Sequence, residues 1–195
     1  MNTENIWYYR YLDLPKIPQR FVEEAKAILQ DERSDPINSY SLGAVNHQWF
    51  RKLDDYGTEI TSRSVIRFKI NTDFENWIRE NISKDFVDAG VAPSCKENET
   101  DDTLGAHTDT TRNYLLLYLF DTSNEGQTTA WWQENGYPIV REKNIYNNVF
   151  SSMTKLEETV FEKDRWVLMN ATILHSVHNI KGYRNAIHVS LDTYE

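Results

Sequence analysis

Apolar residues recur every three or four positions in two stretches of this chain and elsewhere gather into short β-rich runs. From Pro18 onward Phe21, Val22, Ala25, Ile28 and Leu29 mark one face, with a proline in the first turn, where its missing N–H costs nothing. Between Thr72 and Ile82 the stripe is Phe74, Trp77, Ile78 and Ile82, and Thr72 and Glu75 have capping-box spacing. Both stretches predict amphipathic helices braced against a sheet. The runs "SVIRFKI", "DAGVAPSC", "NYLLLYLF", "QTTAWWQ", "KLEETVFE", "RWVLMNATILH" and "NAIHVSL" have strand length and enrichment, with Gly, Asn and Asp between several of them. Many short strands at near-regular spacing predict a mainly β chain with flanking helices on one outer face. The count favours a double-stranded β-helix of jelly-roll, cupin-like type. One domain is expected over residues 1–195, with helical support to about residue 85 and a β core over about 86–192.

Composition narrows the chemistry. Hydrophobic residues make up 39% and charged residues 26%, which describes a soluble globular chain. The 21 basic and 30 acidic residues give a net charge of −9 with the acids scattered, which argues against nucleic acid as the principal partner. No run approaches the roughly 20 apolar residues of a membrane span. The start, "MNTENIWYYRYLDLP", lacks the layout of a signal peptide, so a cytoplasmic protein without a membrane partner is expected. Cys95 is the only cysteine, which excludes an internal disulfide and a thiolate cluster. A metal here would be held by imidazole and carboxylate.

Five histidines are available: His47, His107, His175, His178 and His188. His107 and Asp109 flank Thr108 at the mouth of "NYLLLYLF", and in extended chain residues two apart point to the same side. Together they supply two thirds of a facial triad, the arrangement that holds non-haem Fe(II) on one side and leaves positions open. His175, 68 residues after His107 at the end of an apolar run, offers the third ligand. A metal that binds a dicarboxylic 2-oxo acid also needs a fixed cation for the far carboxylate. Arg184 suits this, nine residues beyond His175 and returned towards it by a turn containing Gly182.

These motifs carry a resemblance. His107-Thr108-Asp109 as an H-x-D element, followed by "HSVHNIKGYRNAIHV" as an H-x-V, nine-residue, R-x-A-I element, is similar to the Fe(II)/2-oxoglutarate-dependent oxygenase superfamily, within it the prolyl-hydroxylase-like branch. The similarity covers about residues 86 to 192. It implies that His107, Asp109 and His175 bind Fe(II) and that Arg184 binds the distal carboxylate of 2-oxoglutarate, with O2 as the other co-substrate. It further implies that Tyr118 shares that carboxylate and that Arg112 borders the substrate pocket, orienting substrate without serving the iron. The branch often places a tyrosine near the iron about ten residues before the first ligand, where this chain has Cys95, Lys96 and Glu97. The implied activity is a dioxygenase that hydroxylates a C–H bond of a peptide or protein residue, or of a small molecule, releasing succinate and CO2.

Two other readings stay open at this stage. A metal-dependent hydrolase could use the same three ligands, which leaves Arg184 without a purpose, and a non-catalytic jelly-roll binding module has no use for the four residues together. His178 competes with His175 as ligand but stands six residues before Arg184, off the motif, and is read as lying behind the ligands or at the surface. Trp131 and Trp132 must point to opposite faces of their strand, so at most one lines the interior. His47 and His188 have no assigned partner.

Overall fold

The computed structural model describes residues 6–30, 49–53, 59–63, 67–95, 104–109, 112–143, 145–147 and 149–194. In chain order these form β1 (Tyr9–Leu12), α1 (Gln19–Gln30), β2 (Trp49–Leu53), β3 (Glu59–Arg63), β4 (Phe68–Lys69), α2 (Thr72–Asn81), β5 (Asp88–Cys95), β6 (Leu104–His107) and β7 (Tyr114–Thr122). They continue with β8 (Thr128–Glu134), β9 (Tyr146–Asn147), β10 (Met153–Val160), β11 (Trp166–Asn170), β12 (Leu174–His178) and β13 (Tyr183–Leu191). The protein is mainly β, as expected. A six-stranded sheet runs β1-β11-β7-β13-β5-β4 and a five-stranded sheet runs β10-β8-β12-β6-β9, with β2 and β3 paired separately. All these pairings are antiparallel.

The alternation along β7 shows how the layers form. Leu115, Leu117 and Leu119 bury inward with Trp131 of β8, Val167 and Met169 of β11, and Ala186 of β13, so the two sheets share one apolar interior. Leu116, Tyr118 and Phe120 point the other way, to Phe21, Val22 and Ala25 of α1 and to Phe74 and Ile78 of α2. Both helices therefore cover one outer face of the larger sheet, and Phe21 stacks on Phe74 with ring centroids 4.5 Å apart. Helix α1 starts directly after Pro18, whose carbonyl accepts from the Phe21 and Val22 amides. Helix α2 is capped one residue earlier than the Thr72–Glu75 spacing predicts: the Asn71 side chain accepts from the Phe74 amide at 2.8 Å.

Three further expectations change. The run "RWVLMNATILH" is not one strand: it divides into β11 and β12, which lie in different sheets, with residues 171–173 turning between them. Asn170 makes that turn, its side-chain carbonyl accepting from the Thr172 amide at 3.1 Å and hydroxyl at 2.7 Å. The first 85 residues are not purely helical support, since β1 pairs with β11 and β4 with β5 at opposite edges of the larger sheet. Of "SVIRFKI" only Phe68–Lys69 is strand, and residues 64–66 lie outside the described residues.

The connection from β12 to β13 carries the chain from one sheet to the other and fixes His175 relative to Arg184. Gly182 takes φ +119°, and a Cβ there would stand 2.7 Å from Ser123 Oγ. That hydroxyl is occupied, donating to the Lys181 carbonyl at 2.8 Å and accepting from the Tyr183 amide at 2.8 Å. Among the described residues no helix is long and apolar enough to cross a membrane.

Candidate metal centre

The site is assembled by strand register across the smaller sheet. His107 on β6 pairs with His175 on β12, and His175 pairs with Trp131 on β8, so the three side chains form a row on one face. Trp131 belongs to the interior cluster between the sheets, which makes this the inner face. Asp109 follows β6 by two residues. Thr108 between them turns outward, donating its hydroxyl to the Glu142 carbonyl at 2.7 Å and accepting from the Ile145 amide at 2.9 Å. The backbone N–H of Asp109 is fixed by the Ala171 carbonyl at 3.2 Å, in the turn that separates β11 from β12. Chain direction and turn thus deliver both side chains of the H-x-D pair to the same interior point.

The donor atoms converge. Asp109 Oδ1 lies 3.7 Å from His107 Nε2 and 3.9 Å from His175 Nε2, and one ligand atom from each residue falls within 4.8 Å of the others. The two imidazole centroids are 4.5 Å apart. Each ring is oriented from behind: His107 Nδ1 is 2.8 Å from the Gly105 carbonyl and His175 Nδ1 is 3.0 Å from the Ile173 carbonyl. A carbonyl only accepts, so both Nδ1 atoms carry a proton, and both Nε2 atoms face Asp109. This group could hold a metal ion. An ion bound at about 2.0 to 2.2 Å from each donor would draw them slightly together. The His107 side chain remains 23% exposed while His175 and Asp109 are nearly enclosed, so the centre opens on the His107 side.

Electrostatics keep the donors in ligating form. Burial opposes ionisation of Asp109, but the Arg112 guanidinium, then His175 and His107, outweigh it and hold the carboxyl well below the usual range. Burial, then repulsion from His107, pushes His175 down to about 4, so it stays neutral at physiological pH. Its ordinary value in an unfolded chain is about 6.5, so below that pH the unfolded state binds the extra proton. The sign follows: the metal-free protein is expected to lose stability as pH falls from about 6.5 towards 4. The loss should be about 2 to 3 kcal/mol for His175 alone. Chemical denaturation at pH 7 and 4.5 checks this, with a flatter profile expected for His175→Asn.

Arg112 is not at a rim. It is buried, its Nε donates to Asp109 Oδ2, and its NH1 donates to Ser190 Oγ at 3.1 Å. The expectation that it has no part at the metal is corrected by this contact: it holds the carboxylate oxygen that faces away from the histidines and leaves Oδ1 as the metal donor. Behind it, Ser190 accepts from Arg67 NH1 at 2.7 Å and donates to Asp88 Oδ1 at 2.7 Å, and Arg67 and Asp88 form a second ion pair. Arg112→Ala is therefore expected to weaken metal binding about 10- to 100-fold, the usual cost of losing a group that orients a ligand. Arg112→Lys should recover part of it, and Mn(II) titration calorimetry measures both.

Arg184 enters the same interior from β13. It is only 5% exposed, donates from NH2 to Thr129 Oγ1 at 3.1 Å, and lies with its guanidinium carbon 5.7 Å from the Phe161 centroid. Among the described residues no carboxylate pairs with it, and its Nε has no acceptor. Burial alone pushes it down to about 10.

Tyr118 does not join Arg184. It pairs across the ladder with Ile187, on the helix-facing side of β13, whereas Ala186 belongs to the interior cluster. Its hydroxyl lies 3.5 Å from Asp164 Oδ1, and burial, then Asp164, pushes it up to about 12. The expected contact with the co-substrate is corrected on that ground: a strand alternates its faces, and this residue has the wrong parity.

His178 also points away from the centre, bonded to Ser176 Oγ at 2.6 Å on the outer face of β12 and packed near Trp132. Trp131 faces in and Trp132 out, as their adjacency requires. His47, Lys96 and Glu97 lie outside the described residues.

No family model and no curated protein matches this chain.

Several interior residues escaped the sequence reading. Ser190 and His188 share a face of β13 with Arg184 and Ala186, a period-two signal present in "YRNAIHVSL". Burial, then Arg112 and Arg67, pushes His188 well down, so it is neutral, and its Nδ1 has no partner among the described residues. Arg67, Asp88 and Thr129 carried no sequence signal, because their roles depend on pairings between distant strands.

Proposed function

We propose that this protein is an Fe(II)- and 2-oxoglutarate-dependent dioxygenase that hydroxylates a C–H bond, and that its two sheets are the halves of a double-stranded β-helix. The observation that carries the reading is Arg184, an enclosed guanidinium without an anionic partner among the described residues, entering from the larger sheet the interior that the His107–Asp109–His175 group faces from the smaller one. Burying an unpaired cation is costly, so the arrangement calls for a diffusible anion beside a metal with open positions. A 2-oxo dicarboxylic acid meets both ends: one carboxylate and the 2-oxo group at the metal, the far carboxylate on Arg184. A hydrolase using the same ligands would leave Arg184 without a role.

Bound iron and co-substrate supply the oxygen chemistry, in which 2-oxoglutarate is oxidised to succinate and CO2 and one atom of O2 enters the substrate C–H bond. The chain's own residues do the rest. His107, His175 and Oδ1 of Asp109 would hold the ion through three donors, and such a set leaves positions for co-substrate. Arg112 fixes the angle of Asp109 from behind. Leu117, Leu119 and Trp131 exclude water from the interior. The exposed edge of His107 marks where a prime substrate enters, a peptide or protein residue or a small molecule.

The experiment is calorimetric binding of 2-oxoglutarate to Mn(II)-loaded protein, followed by succinate release in air with Fe(II). Micromolar binding that depends on the metal, with slow succinate formation even without prime substrate, is expected. Failure of 2-oxoglutarate to bind the loaded protein overturns the reading.

A further inference from the structure

With Tyr118 turned to the helices, Arg184 hydrogen-bonds to no aromatic hydroxyl among the described residues, yet the interior contains another unpaired donor. Trp131 is fully buried and its indole Nε1–H has no acceptor among the described residues. The ring cannot easily turn to find one. Tyr9 stacks on it at 5.3 Å with an interplanar angle of 13°, Tyr8 packs at 6.0 Å, and Phe161 meets it edge-on at 6.1 Å. Leaving such a donor dry costs about 1 to 3 kcal/mol, so its retention points to an acceptor that arrives with a ligand.

The position of that acceptor follows from strand β8. Its two buried inward residues are Thr129, which receives the hydrogen bond from Arg184, and Trp131, which pairs with His175. They lie about 6.6 Å apart along the strand. A ligand with one end on a metal beside His175 and the other on Arg184 beside Thr129 would lie along the face of β8 that carries Trp131. Phe161 lies near both the Arg184 guanidinium and the Trp131 ring, so the two side chains that carry unpaired N–H groups share one aromatic neighbour. A carboxylate, with several acceptor sites and no donor, is the group that satisfies both at once.

We propose that Trp131 donates its indole N–H to the distal carboxylate of the 2-oxo diacid held by Arg184, in the role that the resemblance implied for Tyr118. This rests on the oxygenase reading. Thr129 completes the subsite by fixing NH2 of Arg184, which leaves Nε for the ligand. Trp131 thereby selects for a second carboxylate on the co-substrate, while its stacked ring closes the interior towards β1.

The test is Trp131→Phe, which removes the N–H and keeps an aromatic ring against Tyr9 and Phe161. Binding of 2-oxoglutarate and of 2-oxovalerate, which lacks the distal carboxylate, is measured by calorimetry on the Mn(II)-loaded proteins. The expected result is a Kd for 2-oxoglutarate raised about 10- to 100-fold, with 2-oxovalerate and Mn(II) affinities unchanged. Unchanged 2-oxoglutarate affinity overturns the proposal, and so does equal weakening of both acids, which marks a purely structural tryptophan. If wild-type protein binds no 2-oxoglutarate, the oxygenase reading itself falls. A measurement on the wild type covers a variant that does not fold. In Zn(II)-loaded protein with 15N-labelled tryptophan, one slowly exchanging indole N–H should move downfield with 2-oxoglutarate and stay put with 2-oxovalerate; an unmoved spectrum overturns the proposal.

Discussion

His175→Ala is expected to abolish specific metal binding, while His178→Ala leaves it nearly intact. The two histidines stand three residues apart on one strand, and the alternation of β12 turns their side chains to opposite faces. His175 presents its Nε2 to Asp109 with Nδ1 pinned to a carbonyl, whereas His178 is tied to Ser176 on the outer face. Losing a group that merely orients a ligand costs about 10- to 100-fold in affinity, and losing the ligand itself should exceed that. Anaerobic Fe(II) or Mn(II) titration of both variants provides the comparison. Retained binding in His175→Ala with loss in His178→Ala would move the ligand and undo the assignment.

Arg184→Ala is expected to cut 2-oxoglutarate affinity by about 2 to 5 kcal/mol, the range for truncating one side of a buried charged pair. Metal affinity should barely change, because among the described residues Arg184 hydrogen-bonds to Thr129 and to none of the three ligands. Without co-substrate the variant should not lose stability through this change of charge, since an enclosed guanidinium with no counter-charge among the described residues is itself a cost. Thermal denaturation with and without 2-oxoglutarate separates the two effects. The wild type should gain stability from the acid, and the variant should gain little. Equal stabilisation of both proteins would remove Arg184 from the subsite.

Local spacing carried the parts of the site that depend on one strand at a time. His107 and Asp109 share a face because they are two apart, and the glycine-containing turn before Arg184 returns the chain to the interior. Tyr118 shows the limit of that information. Its distance from the H-x-D pair fitted the resemblance, but its facing depends on which side of β7 the helices cover, and the run "NYLLLYLF" is apolar on both sides. Arg112 fails for a related reason: three residues after Asp109 says nothing about whether a guanidinium reaches out to solvent or folds back onto the carboxylate, and Ser190, 78 residues away in sequence, helps to decide it. The break at residues 171–173 was marked only by Asn170 and Thr172, and the buried apolar halves on either side of them made "RWVLMNATILH" read as one continuous strand.

Strand β6 bears on how the protein would behave without its metal. It is four residues long, its partner on one side is the two-residue β9, and its ladder to β12 is irregular between His175 and Val177. Few backbone bonds therefore hold the strand that carries His107, in contrast to the nine-residue β7 and β13 across the interior. An ion shared by His107 on β6 and His175 on β12 would act as a rivet through a loosely sewn seam. Local opening there would then be governed by metal occupancy, and the larger sheet would stay closed whether or not the ion is present.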